Sequence, residues 1–161
     1  MKRTTFAALS LPLALAAPAV MAQPAPSTSA AAFLARNAGQ PGVSQIPDVQ
    51  YKVLHAGPAE GRHPTRADDI TVEYEGRLLN GQVFDASKPG APVTFELKRL
   101  IPAWVVALQL MRPGDEWMLW APPETAYGFT DRGPIPAGSV LAFKVRLIAA
   151  APHPDPPAAP H

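Results

Sequence analysis

The sequence contains no cysteine. No disulfide can therefore stabilise the fold, no thiolate can act as a nucleophile or zinc ligand, and no lipid can be attached through a cysteine. Histidine is sparse, and its four positions lack the spacing of a metal site: His55, His63, His153 and His161. The sequence consequently predicts neither a metal centre nor a cofactor.

The short motifs of common catalytic and nucleotide-binding folds are also missing. The chain has no Gly-x-Ser-x-Gly elbow, no Gly-x-Gly-x-x-Gly turn and no P-loop. Neither sign of charge predominates, because 14 Lys and Arg residues face 13 Asp and Glu residues. Basic residues do not cluster with aromatic ones, so binding to nucleic acid is not indicated.

The N-terminus has the organisation of a secretory signal. A basic start is followed by an apolar run from Phe6 to Val20 and by the small-residue site Val20-Met21-Ala22. The run is short for a membrane span, and two prolines interrupt it. We predict cleavage after Ala22, which leaves an exported chain without a membrane span. The alternative is an uncleaved anchor.

Composition divides the rest of the chain into three parts. Residues 23–47 predict an extension: a flexible leader to residue 30, about two helical turns at Ala31–Asn37, and a linker at Pro41–Pro47. Residues 48–150 carry the regular apolar patterns of a single domain. Residues 151–161 contain five prolines and predict a disordered tail.

Alternation of apolar and polar residues predicts most of this domain to be β-structure. In the clearest strand, alternate residues from Ile70 to Leu78 face one way and charged residues face the other. Asn80-Gly81 predicts a hairpin, because both residues accept positive φ. The other predicted strands are Val49–His55, Val83–Asp85, Val93–Leu97, Asp115–Ala121 and Val140–Ala149.

One short helix is predicted at Leu100–Met111. Pro102 suits the first helical position, and Arg112-Pro113-Gly114 ends the helix after about three turns. Because Val106 and Leu110 make its second side apolar too, we expect burial on all sides. Strands precede and follow this helix. The predicted fold is therefore α+β, a strongly bent antiparallel sheet, or half-barrel, wrapped around one helix.

An acidic residue is predicted to lie among aromatic side chains. Asp85 follows Phe84 directly, and a carboxylate beside a core aromatic must be hydrogen-bonded or functional. The inward-pointing set is Tyr74, Phe84, Asp85, Phe95, Trp104, Tyr127 and Phe143. For the aromatic residues, the alternative interpretation is that they are ordinary core.

From about Asp48 to Ala149, an ordered series of short motifs resembles the FKBP-type peptidyl-prolyl cis-trans isomerases. The series includes Val72-x-Tyr74-x-Gly76-x-Leu78, Phe84-Asp85-x-Ser87, Ile101-Pro102-x-Trp104, Ala126-Tyr127-Gly128, Ile135-Pro136 and Leu141-x-Phe143. No single motif is diagnostic, but the order is specific. Residues 33–37 and 49–54 resemble the exported bacterial branch related to macrophage infectivity potentiator.

The resemblance implies a role for each residue of an aromatic pocket. Trp104 forms the floor, and the Ile101 N–H and the Tyr127 hydroxyl hold substrate carbonyls. Asp85 orients polar groups through Tyr74. The walls are formed by Tyr74, Phe84, Phe95 and Phe143. Leu100 and Ile101 form the edge, and Ile135 lies on the overhanging loop.

The resemblance also implies what the protein does and what it binds. It implies isomerisation of X–Pro bonds in proline-containing polypeptides, which assists the folding of exported proteins in a bacterial periplasm. It also implies affinity for macrolide immunosuppressants. The family branch has a long helical dimerisation arm that is nearly absent here, so we predict a monomer or weak dimer.

Two alternatives to the enzyme remain open. Ala103 replaces a glycine common in the family, which favours a non-catalytic or weakly catalytic peptide-binding module with the same pocket. The second alternative is a domain that acts through its surface, in which Met118 and Trp120, on the outer face of their strand, mark a partner site. The competing interpretation of these two residues is a local cluster beneath the N-terminal segment.

Overall fold

The computed structural model describes residues 26–154. The predicted signal segment, residues 1–22, and the last seven residues of the predicted tail lie outside this range. Within it, no helix is long and apolar enough to cross a membrane.

The described chain forms one seven-stranded antiparallel sheet that does not close on itself. Its strand order is β1-β2-β6-β7-β3-β4, and β5 pairs with the first part of β3. In chain order the elements are α1 (Pro26–Ala38), β1 (Val43–Ile46), β2 (Val49–His55), β3 (Asp68–Leu78), β4 (Val83–Ala86), β5 (Val93–Glu96), α2 (Pro102–Leu108), β6 (Glu116–Ala121) and β7 (Leu141–Pro152). Short 3-10 helices cover Leu97–Arg99 and Pro123–Thr125.

The core lies between the concave face of the sheet and α2. The long strands β3 and β7 pair over their whole lengths, and their inward residues, such as Ile70 and Val145, are fully buried. Ala103, Ala107 and Leu108 of α2 are buried against this face. The predicted architecture, a bent antiparallel sheet around one short helix, is confirmed.

The central helix differs from its prediction in length and in burial. It ends at Leu108 after about two turns, and the chain then tightens because the Leu110 and Met111 N–H groups bond to carbonyls three residues back. Val106 and Leu110 are 40% and 43% exposed. Burial on all sides was therefore a wrong expectation, because the open sheet covers only one side of α2.

The β3–β4 hairpin forms where Asn80-Gly81 predicts it. Of Asn80 and Gly81, only Gly81 has positive φ, at 88°. The Gly81 N–H donates to the Leu78 carbonyl, and the Leu78 N–H donates to the Gln82 carbonyl, each at 2.9 Å. This is a three-residue loop with a glycine bulge, in which Asn80 keeps an ordinary φ. Its side-chain oxygen instead accepts a bond from the Gln82 N–H.

Both ends of the domain are more regular than expected. Residues 26–30 are helical rather than flexible, and strand β1 occupies the predicted linker. A pair of amides ties the end of α1 to β2: the Asn37 side chain donates to that of Gln50, which donates to the Leu34 carbonyl, each at 2.8 Å. Strand β7 continues to Pro152 beside Asp68, so the first residues of the predicted tail belong to the sheet.

Met118 and Trp120 lie next to this N-terminal segment. Both are partly buried on the outer face of β6. They border a groove together with Asn37, Gln40 and Val43. This location agrees with a local cluster beneath the N-terminal segment.

A buried carboxylate ties the loop before β3 to the sheet. Asp68 is 4% exposed and accepts bonds from Arg62 at 2.7 Å and from the Thr65 N–H at 2.6 Å. The bond from Arg62 is the main cause that lowers the pKa of Asp68 to about 2, against an ordinary value of 3.8. Its contribution to stability is therefore present above pH 3.8 and lost as the pH falls towards 2.

We predict that Asp68→Asn destabilises the protein at neutral pH. The expected loss is on the order of 1 kcal/mol, because half-exposed Arg62 is partly screened by water. The variant should also lose less stability than wild type between pH 4 and pH 2. Urea unfolding at several pH values measures both effects. Glu60→Gln, in the same loop, is the control, and parallel stability curves for Asp68→Asn and wild type would contradict the assignment.

Candidate active site

A pocket of about 180 Å3 opens on the concave side of the fold. This volume is below the range of drug-sized ligand sites, roughly 300–1,000 Å3, and favours one small apolar ring with its flanking backbone. Eight of the ten residues singled out in the sequence line it: Tyr74, Asp85, Phe95, Leu100, Ile101, Trp104, Tyr127 and Phe143. The topology thus gathers residues from β3 to β7 in one place.

Trp104 lies at the bottom of this pocket, in the first turn of α2. Pro102 begins the helix, and the Ile101 carbonyl accepts bonds from the N–H groups of Trp104 and Val105. The indole contacts Tyr74 and Phe143 edge-on, with ring centroids 5.3 and 5.4 Å apart. Its N–H is buried and has no hydrogen-bond partner among the described residues. The faces of the indole ring supply the apolar floor of the pocket.

The wall at the β3–β7 junction depends on a glycine. Gly76 pairs with Phe143 across the two strands, and Phe84 of β4 packs edge-on against Phe143 at 5.7 Å. A Cβ at position 76 would lie 2.6 Å from Phe84 and 3.0 Å from Phe143. Because Gly76 has no side chain, the Phe84 ring can occupy this space. The sequence signal for this role was the position of Gly76 in the inward series of β3.

Phe84 and Ile135 do not line the pocket directly. Phe84 is half-buried and packs behind Phe143. Ile135 is 8% exposed and belongs to the core cluster. Contacts of Phe84 and Ile135 with a substrate remain predictions. In the structure, Phe84 supports the aromatic wall and Ile135 supports the base of the loop.

Tyr74 and Asp85 form a hydrogen-bonded pair at the rim. The Tyr74 hydroxyl donates to Asp85 Oδ2 at 2.7 Å. Asp85 is exposed at this rim and so is not buried in the core. Burial raises the pKa of the Tyr74 hydroxyl well above its usual range, and the bond to Asp85 raises it further. The Tyr74 hydroxyl therefore stays protonated at neutral pH and donates to this carboxylate.

Two hydrogen-bond donors on the pocket wall are free. Within the described part of the chain, the Ile101 N–H donates to no protein acceptor, because it precedes the first turn of α2. The Tyr127 hydroxyl likewise has no hydrogen-bond partner among residues 26–154. Both can bind carbonyl oxygens of a peptide that enters the pocket.

The opposite face of the sheet carries a second depression of a different character. It is lined by charged residues of three strands, in which Lys144 bridges to Glu116 at 3.0 Å and Arg146 lies 4.0 Å from Glu73. Opposite charges pair across this depression, whose lining also includes Tyr74, Ser87 and Pro89. Among the described residues, no group of three or more His, Cys, Asp or Glu could hold a metal ion.

Comparison with known proteins agrees with this geometry. A family model described as FKBP-type peptidyl-prolyl cis-trans isomerase matches residues 60–148. The peptidyl-prolyl cis-trans isomerase Mip of Coxiella burnetii is 49% identical over 121 residues, which are 73% of this chain and 52% of that protein. The outer membrane protein MIP of Legionella longbeachae is 43% identical, with 73% and 51% coverage. The chain thus spans about half the length of these relatives.

A solved structure gives the same result for the fold. A peptidyl-prolyl cis-trans isomerase from Pseudomonas syringae pv. tomato superimposes with a TM-score of 0.74 at 33% sequence identity. The match covers 78% of this chain and 93% of that one. The resemblance inferred from the motif series is therefore confirmed.

We predict that Gly76→Ala disturbs the aromatic wall. The added methyl group must displace Phe84 or Phe143, and overpacking of this kind costs about 1–3 kcal/mol. Urea unfolding measures the stability, and near-ultraviolet circular dichroism reports the aromatic cluster. Gly39→Ala is the matched control, because its Cβ would have only an ordinary 3.6 Å contact. Equal stability of the two variants would contradict the role of Gly76.

Proposed function

The chain belongs to the FKBP-type peptidyl-prolyl cis-trans isomerase family, and from this premise we propose that it catalyses the rotation of X–Pro bonds in the aromatic pocket. The observation that carries the proposal is the combination of a buried indole floor with two donors that have no partner among residues 26–154, the Ile101 N–H and the Tyr127 hydroxyl. The substrates are proline-containing polypeptides, and neither a metal nor a cofactor takes part.

The chemistry follows from the charge distribution of the amide. Rotation has a barrier of about 18–20 kcal/mol, because resonance is lost at the twisted midpoint. The planar amide is more dipolar than the twisted one, so water stabilises the ground state more than the transition state. A dry aromatic pocket removes this preference for the planar form.

The named residues divide the work of holding the substrate. The prolyl ring lies on Trp104, and the Ile101 N–H and the Tyr127 hydroxyl fix the carbonyls on either side while the amide between them turns. Asp85, held by Tyr74, orients the dipoles at the rim. No proton is transferred and no covalent intermediate forms.

The non-catalytic alternative depended chiefly on Ala103. This residue is fully buried against the core and is absent from the lining of the pocket. Its methyl group therefore leaves the space above Trp104 open. No observation specifically favours the alternative.

We predict that residues 23–161 accelerate cis-trans isomerisation of X–Pro peptides in a protease-free assay. Trp104→Leu should lower kcat/KM about tenfold or more, which corresponds to roughly 1.4 kcal/mol of transition-state stabilisation. Val106→Ala, an exposed position on the same helix, is the control and should retain full activity. A folded wild-type chain that accelerates no peptide would overturn the proposal.

The hydrogen-bonded pair Tyr74–Asp85 allows a sharper test of the proposed function in the same assay. Tyr74→Phe and Asp85→Ala break one hydrogen bond from its two ends, so each should lower kcat/KM by a few fold. The double variant should be no worse than the more impaired single variant, because the energies of groups that act together are not additive. Strictly additive losses would show that the two residues act independently.

We propose that the same pocket binds macrolide immunosuppressants of the rapamycin type. Binding should change the fluorescence of Trp104, measured in a Trp117→Phe/Trp120→Phe background that leaves it as the single tryptophan. The macrolide should also inhibit isomerisation at the same concentration. An unchanged spectrum at saturating macrolide would count against binding.

We further propose that the protein is exported to a bacterial periplasm and assists the folding of exported proteins. The sequence support is the signal-like segment at residues 1–22. Fractionation of a bacterial host with N-terminal sequencing tests the location, and the expected mature terminus is Gln23. Recovery of the intact segment in the membrane fraction would favour the anchor.

For the assembly, we propose a monomer or weak dimer. Two positions of α1 are already used within the domain, since Ala30 is 6% exposed and Asn37 donates to Gln50. Sedimentation equilibrium of residues 23–161 measures the mass, and a tight dimer at micromolar concentration would contradict the proposal.

A further inference from the structure

Phe129 is the most exposed large apolar side chain in the described part of the chain. It is 57% exposed, whereas the others reach 44% at most. Scattered apolar residues on a surface are normal, so exposure by itself assigns no role. What distinguishes Phe129 is its position in the loop between β6 and β7, two residues after Tyr127.

This loop is held by its own hydrogen bonds. The Gly128 N–H donates to the Pro123 carbonyl at 2.8 Å, and the Gly128 carbonyl accepts from the Gly138 N–H at 3.0 Å. Farther along, the backbones of Arg132 and Ile135 exchange two bonds of 2.9 and 3.0 Å. The segment that carries Phe129 is thus anchored on both sides, and the ring is presented to solvent by a fixed backbone.

Two residues of this loop, one on each side of Phe129, lie at the pocket or against a residue that lines it. Tyr127 lines the pocket, and the Arg132 guanidinium lies 5.6 Å from the centre of the Tyr127 ring. Phe129 is part of the short arch between these two contacts. Its Cα lies at most about 7.6 Å from that of Tyr127, the length of two peptide units. Phe129 is therefore close to the rim without belonging to the lining.

A polypeptide substrate extends beyond the pocket, which has room for little more than one ring. In extended conformation each residue advances about 3.3 Å, so two residues span about 7 Å. Because the proposed function places a substrate carbonyl on the Tyr127 hydroxyl, a side chain within two positions of the proline can reach the part of this loop that carries Phe129. Resting on the proposed isomerase function, we infer that Phe129 is a specificity-determining residue that binds an apolar side chain two residues away from the proline.

The test uses paired peptides that differ only two residues from the proline, on either side, with leucine in one and glycine in the other. At one of the two positions, wild type should show a kcat/KM about fivefold higher for the leucine peptide than for the glycine peptide, mainly through a lower KM. Phe129→Ala should reduce this preference to nearly one and leave the rate for the glycine peptide unchanged. Phe129→Tyr should restore the preference, since an aromatic ring is retained.

Leu110→Ala, which removes an exposed side chain outside the β6–β7 loop, is the control. The inference is overturned if Phe129→Ala keeps the preference or lowers kcat/KM for all peptides equally. Peptide binding measured by calorimetry separates this result from failure of the proposed function. Should no peptide be isomerised, a leucine preference in Kd that Phe129→Ala removes still supports the subsite, and its absence rejects it.

Discussion

The edge-on contacts of Trp104 with Tyr74 and Phe143 connect the helix of this domain to its sheet. Each ring lies nearly perpendicular to the indole, at 86°, a geometry that aromatic quadrupoles favour. The contacts place the start of α2 against β3 and β7. Everything else in the pocket is positioned relative to this cluster, including the Ile101 N–H, which directly precedes the helix.

An open sheet explains why the pocket exists at all. A closed barrel would surround α2 and bury both of its sides, whereas this sheet leaves Val106 of α2, and Leu110 just after it, partly exposed to solvent. Because the sheet does not close, the aromatic cluster at its concave face is reached from solvent. The core and the binding site thus share the same rings, whose inner edges stabilise the fold while their outer edges line the pocket.

Polar groups supply the directionality that aromatic rings lack. The Tyr74–Asp85 bond holds a carboxylate at one side of the rim, and the Tyr127 hydroxyl, which bonds to no group in the described part of the chain, offers a donor at another. Rotation of an amide requires neither a nucleophile nor a proton carrier. The absence of cysteine and of paired histidines in the sequence therefore does not conflict with catalysis of this kind.

The amino-acid sequence by itself determined the strands, the position of the helix and most of the pocket. Alternation along β3 indicated which residues face inward, because side chains of a strand point to opposite faces in turn. Only the tertiary structure decided that Val106 is exposed, that Asp85 lies at the rim, and that Phe84 packs behind Phe143 in the space that Gly76 leaves. These outcomes depend on how far the sheet bends and where it stays open, which is set by contacts between distant strands and is absent from any local pattern.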